Sequence, residues 1–296
     1  SPLGRKNVFS FCSRSTAIMK SLLQACRLIK ETRPDLCLLF GGYVSFPVLG
    51  AASLYGIPVL VHEQNARSGR ITRLASALGK QVLSGWKKCD PLSEDRFKTV
   101  GVPVRKISRL QLSEAWNILD IGCNVPKGPI VVVMGGSLGS NPIYDIICNL
   151  AVKSVMKGIT FLLIGGSSFI KNSPENVIPI GKYWDLSALI SVASVAIVRG
   201  GASTLSEMAV YKMPSIVIPW KESAANHQLL NATCFARDNG GFIWHESDAL
   251  DALAQNIVNL IGLRNPLSDI EIEASRISIN EKICEEIFVA LGREIL

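Results

Sequence analysis

Two stretches of this chain join an apolar run to a glycine turn and then to a helix start, an order that aims backbone N–H groups at an anion. In Val195-Ala-Ile-Val-Arg-Gly-Gly-Ala-Ser-Thr-Leu-Ser-Glu207 the run ends at Arg199 and the glycines follow. Upstream, Ile130-Val-Val-Val-Met134 leads into Gly135-Gly-Ser-Leu-Gly-Ser140 and a helix expected from about Pro142. There the glycines admit a ligand close to the backbone and Ser137 adds a hydroxyl; a tight turn between strand and helix is the alternative use of the same residues. A helix N-terminus favours an anion by roughly 0.3–1 kcal/mol when exposed and up to ~2 kcal/mol when partly buried. The glycines do not follow Gly-x-Gly-x-x-Gly, which disfavours a nicotinamide enzyme.

Thr204-Leu-Ser-Glu207 fits a capping box, with Thr204 capping the helix start and Glu207 reaching back to it. Alternatively, Glu207 accepts hydrogen bonds from two neighbouring ribose hydroxyls, as acidic residues do in nucleotide sites. Polar residues also gather at the expected ends of two strands nearer the N-terminus, as Gly41-Gly-Tyr43 and His62-Glu-Gln-Asn65. Strand ends form the ligand edge of an α/β sheet. His62 is the best acid–base candidate among three histidines, set against a structural role, and Asn226-His-Gln228 could donate to a sugar hydroxyl. The sequence holds no Asp-x-Asp and no His/Cys cluster with metal-ligand spacing, so neither a metal nor a cofactor is expected. Charge on a diphosphate would be met by helix ends and by Arg105 and Arg199.

Positioning these residues requires a doubly wound α/β architecture. Strand-like runs at 130–134, 159–164, 176–180, 194–198, 214–219 and 240–244 alternate with helix-length segments. Before them come runs at 36–40, 57–62, 81–84 and 97–100, with helices expected at 15–31, 47–55 and 69–79. In the first helix Ile18, Leu22, Ala25 and Ile29 form one stripe, opposite Lys20 and Arg27. The polar, Gly- and Pro-containing stretch at 101–129 marks a boundary, with a helix possible at 111–119. The first of the two doubly wound domains lacks an opening strand and turn, and the chain starts with Ser1, so a fragment incomplete at its N-terminus is expected.

With 296 residues, 48% hydrophobic and 19% charged, the chain can bury two sizeable cores. Residues 1–104 hold 15 Lys and Arg against 6 Asp and Glu, more than the whole net charge of +7. A solvated basic surface or attraction to an anionic surface or partner accounts for this excess. Eight cysteines without a Cys-x-x-Cys pair read as reduced thiols in a cytosolic protein. No apolar run reaches the eighteen or so residues of a membrane span, and no signal-peptide core is present.

Gly41-Gly-Tyr-Val-Ser-Phe-Pro47, His62-Glu-Gln-Asn65, Gly101-Val-Pro-Val-Arg105, Gly135-Gly-Ser-Leu-Gly139, Arg199-Gly-Gly-Ala-Ser-Thr-Leu-Ser-Glu207 and Asn226-His-Gln228 resemble, in order, the motifs of the MurG family. These glycosyltransferases add N-acetylglucosamine to the lipid-linked muramyl-pentapeptide of peptidoglycan synthesis. The resemblance implies the two-domain GT-B fold, with an acceptor and membrane-facing domain at 1–104 plus 280–296 and a UDP-sugar domain at 105–279. It implies that Asn65 and Gln228 hold the sugar, Arg105 and Ser137 the diphosphate, backbone from Ala202 through Ser203 to Thr204 the phosphate side, and Glu207 the ribose. Backbone near Tyr183 would read the uracil, and Tyr43 joins the substrate-binding set. Residues 280–296 would return to the first domain as a crossing helix. The family's glycine-rich loop, with the histidine proposed as general base, precedes the point where this sequence begins.

The leading expectation is an inverting, metal-independent transferase acting on UDP-N-acetylglucosamine and undecaprenyl-diphosphate-linked muramyl-pentapeptide. It would sit peripherally on the cytoplasmic face of the plasma membrane, an anionic surface, with no nucleic acid partner. The rivals are a UDP-sugar epimerase on the same scaffold and a non-catalytic UDP-sugar-binding fragment. Nucleotide release without acceptor would mark the first, and binding without transfer the second.

Overall fold

A computed structural model describes residues 5–106, 108–135, 141–165, 173–181, 185–221, 223, 226–264 and 269–293, the side chains of 5–16, 141, 269 and 270 excepted. The chain divides into two compact units, one of residues 1–101 with 279–296 and one of 102–278.

The second unit is a six-stranded, wholly parallel sheet. In chain order the strands are β5 (Ile130–Met134), β6 (Thr160–Ile164), β7 (Val177–Ile180), β8 (Val195–Val198), β9 (Ser215–Val217) and β10 (Phe242–Ile243). Their spatial order, β10-β9-β8-β5-β6-β7, starts in the middle at β5, moves outward through β6 and β7, then resumes on the other side of β5 with β8. The apolar runs of β5 and β8 are buried on both faces, as parallel strands under helices must be. Helices α5 (Asn141–Ala151) and α9 (Leu250–Leu260) give Ile143, Ile147, Leu253 and Ile257 to the core beside Val131, Val133 and Ile197. A further helix, α4 (Leu112–Ile118), forms inside the polar boundary stretch, and Trp116 and Leu119 are buried there.

In the first unit a four-stranded parallel sheet has the order β1 (Cys37–Leu39), β2 (Val59–Glu63), β3 (Gln81–Ser84) and β4 (Lys98–Thr99). Side chains alternate along β2. Val59 and Val61 pack with Ala25 and Ile29 of α1 (Arg5–Thr32) and with Leu49 of α2 (Ser45–Leu54), whereas Leu60 packs with Leu83, Val100 and Ile283. α1 starts ten residues before position 15, where the sequence places the start of that helix. Only part of its apolar surface is covered: Ile18, Met19, Leu23 and Leu28 are exposed. No helix among the described residues is long and apolar enough to cross a membrane.

Ile283 belongs to α10 (Asp269–Ala290), whose residues from Ile279 onward lie in the first unit. Glu286 fastens that segment. It is 2% exposed, accepts from Gln81 Nε2 at 2.5 Å and pairs with Lys98 Nζ. Glu286→Ala leaves these donors without their acceptor, so a loss of about 1–3 kcal/mol in unfolding free energy is expected. Lys98→Ala should change stability by less than about 1 kcal/mol, because the lysine side chain is 63% exposed. Chemical denaturation of the two variants checks the asymmetry, and equal losses would contradict it.

Candidate active site at the sheet crossover

Where a doubly wound sheet reverses its winding, the helices after the two central strands diverge and leave a crevice at the strands' carboxyl ends. Here that point lies between β5 and β8, paired in parallel up to Met134 and Val198. After β8 the chain turns through Arg199, Gly200 and Gly201 into α7 (Ala202–Val210). Gly201 is the N-cap, with no side-chain cap bond, and the first turn carries no acidic residue. The amides of Ala202, Ser203 and Thr204 therefore stand among the helix's unsatisfied first donors. The capping box is not formed: Thr204 lies within α7, and Glu207 turns to another partner.

That partner is Arg105, whose Nε donates to Glu207 Oε1 at 2.7 Å. The Glu207 side chain is 6% exposed and the Arg105 side chain 49% exposed, so a deeply set carboxylate is paired with an accessible cationic side chain. Burial raises the Glu207 carboxyl above the usual glutamate value, with Arg105 opposing that shift. One turn along α7, the Tyr211 hydroxyl donates to the Arg105 carbonyl at 3.4 Å. Sequence reading missed Tyr211, although its spacing of four from Glu207 places both on one helix face.

The glycine turn is held against α8 (His227–Asn239). Gln228 Oε1 accepts from the amides of Gly200 at 3.2 Å and Trp220 at 3.0 Å, while buried Asn231 donates from Nδ2 to the Gly200 carbonyl at 3.0 Å. With its carbonyl oxygen so engaged, Gln228 has its amide NH₂ to offer a ligand. Asn231 was also missed, though it follows Gln228 at the helical spacing of three.

The surroundings of Arg199 speak against the diphosphate role expected of it. The residue is 8% exposed, and its Nη1 donates to the Ile218 carbonyl at 3.2 Å and to Glu246 Oε1 at 2.7 Å. It holds β8 to the segment after β10, a pairing across 47 positions that no local pattern announces.

At the carboxyl edge of the first unit's sheet, His62 is fully buried. Its Nε2 lies 2.8 Å from the Gly101 carbonyl, and Nδ1 has no partner. The ring is 5.6 Å from that of Phe40. Desolvation lowers its pKa, so the ring is neutral and donates to Gly101. Such a ring, with no exposed surface, is in no position to take a proton from a substrate, which speaks against the acid–base role. Asn65 sits just beyond β2, bonded through its amide and Nδ2 to Glu63. Tyr43, in the turn after β1, is 88% exposed. Ser137 and Tyr183 lie outside the described residues.

Comparison with known proteins supplies the relatives. Residues 130–279 match the glycosyltransferase family 28 C-terminal domain and residues 1–84 its N-terminal domain. The UDP-N-acetylglucosamine–N-acetylmuramyl-(pentapeptide) pyrophosphoryl-undecaprenol N-acetylglucosamine transferase of Acetivibrio thermocellus is 32% identical over 278 residues, covering 88% of this chain and 74% of that protein. The enzyme of the same name from Francisella philomiragia is 31% identical, covering 94% and 77%. Among solved structures, Acinetobacter baumannii MurG superposes with a TM-score of 0.61 at 23% identity, covering 89% of this chain and 74% of that one. The kitacinnamycin glycosyltransferase reaches 0.65 at 16% identity, with coverage of 91% and 79%. The two structures share the fold.

Proposed function

This chain belongs to the MurG family within glycosyltransferase family 28, and from that premise we propose that its sheet crossover binds UDP-N-acetylglucosamine. The protein is an N-acetylglucosaminyltransferase of peptidoglycan synthesis, moving the sugar to the 4-hydroxyl of the lipid-linked muramyl-pentapeptide. The observation that carries the site assignment is the Arg105–Glu207 pair beside the first turn of α7. It sets a cation, a carboxylate and orphan backbone donors at one crevice, which are the groups a nucleoside diphosphate needs.

In this reading Glu207 accepts the ribose hydroxyls, and Arg105 with the α7 N-terminus faces the diphosphate. Gln228 binds a sugar hydroxyl. The acceptor 4-hydroxyl attacks the anomeric carbon as the bond from that carbon to the phosphate oxygen breaks. UDP leaves with the bonding electrons, and the hydroxyl proton passes to a base other than His62. Negative charge grows on the diphosphate as the bond lengthens, where preorganised donors and a cation act most strongly. Inversion at the anomeric carbon follows from a single in-line displacement.

Incubation with UDP-N-acetylglucosamine labelled in the sugar, together with the lipid-linked acceptor, tests the reading. Label should enter the lipid with one UDP released per transfer and the new linkage inverted. UDP release without acceptor, or label remaining on nucleotide in the presence of acceptor, would contradict it.

A peripheral seat on the cytoplasmic membrane surface belongs to the same proposal. Exposed Ile18, Met19, Leu23 and Leu28 on α1 alternate with exposed Lys20, Arg27 and Lys30, a mixture suited to anionic lipid. Cosedimentation with anionic vesicles should therefore decline as salt rises. Equal binding to neutral vesicles at every ionic strength would contradict the electrostatic part.

A further inference from the structure

Asn231 is a fully buried residue of α8 that the mechanism above leaves without a task. Asparagine is a weak helix former, and taking its amide out of water is costly unless the amide is bonded. Its Nδ2 donates to the Gly200 carbonyl at 3.0 Å, across 31 positions of sequence. One helical turn earlier, Gln228 Oε1 accepts the Gly200 N–H at 3.2 Å. Both backbone polar groups of Gly200 therefore face α8. Gln228 Oε1 also accepts the amide of Trp220, just past the end of β9, at 3.0 Å, which puts this clamp on the β9 side of the turn. In the sheet, β8 has β9 on one side and β5 on the other. All of these residues belong to the second unit.

A trans peptide holds its C=O and N–H antiparallel. The Gly200–Gly201 peptide is trans, and its oxygen is turned to Asn231. The Gly201 N–H is thereby turned away from α8 and toward the β5 side, where the crossover opens. We propose that Asn231 is a positioning residue for phosphate binding, fixing this peptide so that the Gly201 N–H joins the first amides of α7 in donating to the diphosphate. This rests on the reading of the α7 N-terminus as the diphosphate site. Without the Asn231 amide, the Gly200 carbonyl loses its donor from α8. The peptide can then rotate and carry the Gly201 N–H off the phosphate.

Calorimetric titration with uridine and with UDP separates positioning from general stability, because only UDP carries phosphate. In Asn231→Ala the uridine affinity should stay within about twofold of the parent, while the ratio of UDP to uridine affinity falls roughly tenfold, the scale of one hydrogen bond to a charged group. Position 201 gives a second route to the same donor. Gly201→Pro removes the N–H at a φ of −73° that proline accepts, whereas Gly201→Ala keeps it, and a Cβ there meets nothing within 4 Å. The ratio should fall roughly tenfold in the proline variant and hold in the alanine variant. Asn231→Ala added to Gly201→Pro should lower it no further, since one acts through the other. Ile257→Val, in the core of the same unit, should lower the melting temperature and leave the ratio unchanged. Gly201→Pro carries the test if Asn231→Ala does not fold. An unchanged ratio in Asn231→Ala or Gly201→Pro, losses that multiply in the double variant, or an equal fall in Ile257→Val would overturn the proposal. A parent protein that binds neither uridine nor UDP would instead overturn the UDP-sugar assignment.

Discussion

Replacing Glu207 with glutamine is expected to weaken UDP binding about 10- to 100-fold, since hydrogen bonds to a charged group are each worth about 1.5–3 kcal/mol. The substitution keeps the shape of a side chain that is 6% exposed and removes its charge. Stability should move little or rise, because burial of the carboxylate opposes its ionisation. The pH dependence carries a signature of its own. Burial raises the Glu207 pKa in the folded protein, so its contribution to stability is present at low pH and is lost as pH rises through the folded value. Ribose hydroxyls donate to the ionised form, so UDP affinity should increase over that same interval. Opposite trends in melting temperature and UDP affinity, both flattened in Glu207→Gln, are the expected result. A variant that binds UDP as the parent does would remove Glu207 from the nucleotide site.

The second large effect concerns the turn. A Cβ added to Gly200 would lie 2.3 Å from the Gln228 carbonyl oxygen and 2.9 Å from its carbon, both backbone atoms at the start of α8. Backbone cannot swing aside as a side chain can, so Gly200→Ala must push α8 away from the turn. It would strain the bonds made there by Gln228 and Asn231. A destabilisation of about 1–3 kcal/mol is expected, visible as a lowered melting temperature at ~2–4 °C per kcal/mol. UDP binding should fall with it. Gly201→Ala is the control, since a Cβ there meets nothing within 4 Å and its φ of −73° suits any residue. Equal melting temperatures for the two variants would contradict the close approach of turn and helix.

The crossover was legible in the sequence because β5 and β8 are buried on both faces and therefore read as unbroken apolar runs. Shorter, partly covered elements were legible only as regions. The run at 214–219 holds a strand of three residues, Ser215–Val217, and α1 extends to Arg5 where no apolar stripe marks it. Glu207 and Arg105 could be named from motifs, but not their union, because 102 positions separate them. Arg199 shows the reverse failure. Its motif was visible, while Glu246 and the Ile218 carbonyl, which claim its guanidinium, were not. His62 was chosen for the rarity of histidine and its place at a strand end. Strand alternation puts it on the side of Leu60, toward the buried cluster containing Ile283, and leaves the opposite side to Glu63.

Hydrogen–deuterium exchange of the whole chain, with and without saturating UDP-N-acetylglucosamine, tests the crossover assignment most directly. Ligand should slow exchange at the amides from Gly200 to Leu205 and near Arg105, with protection lost in Glu207→Gln at the same ligand concentration. Protection confined to other segments, or none at saturating ligand, would contradict the placement of the nucleotide sugar at the crossover of β5 and β8.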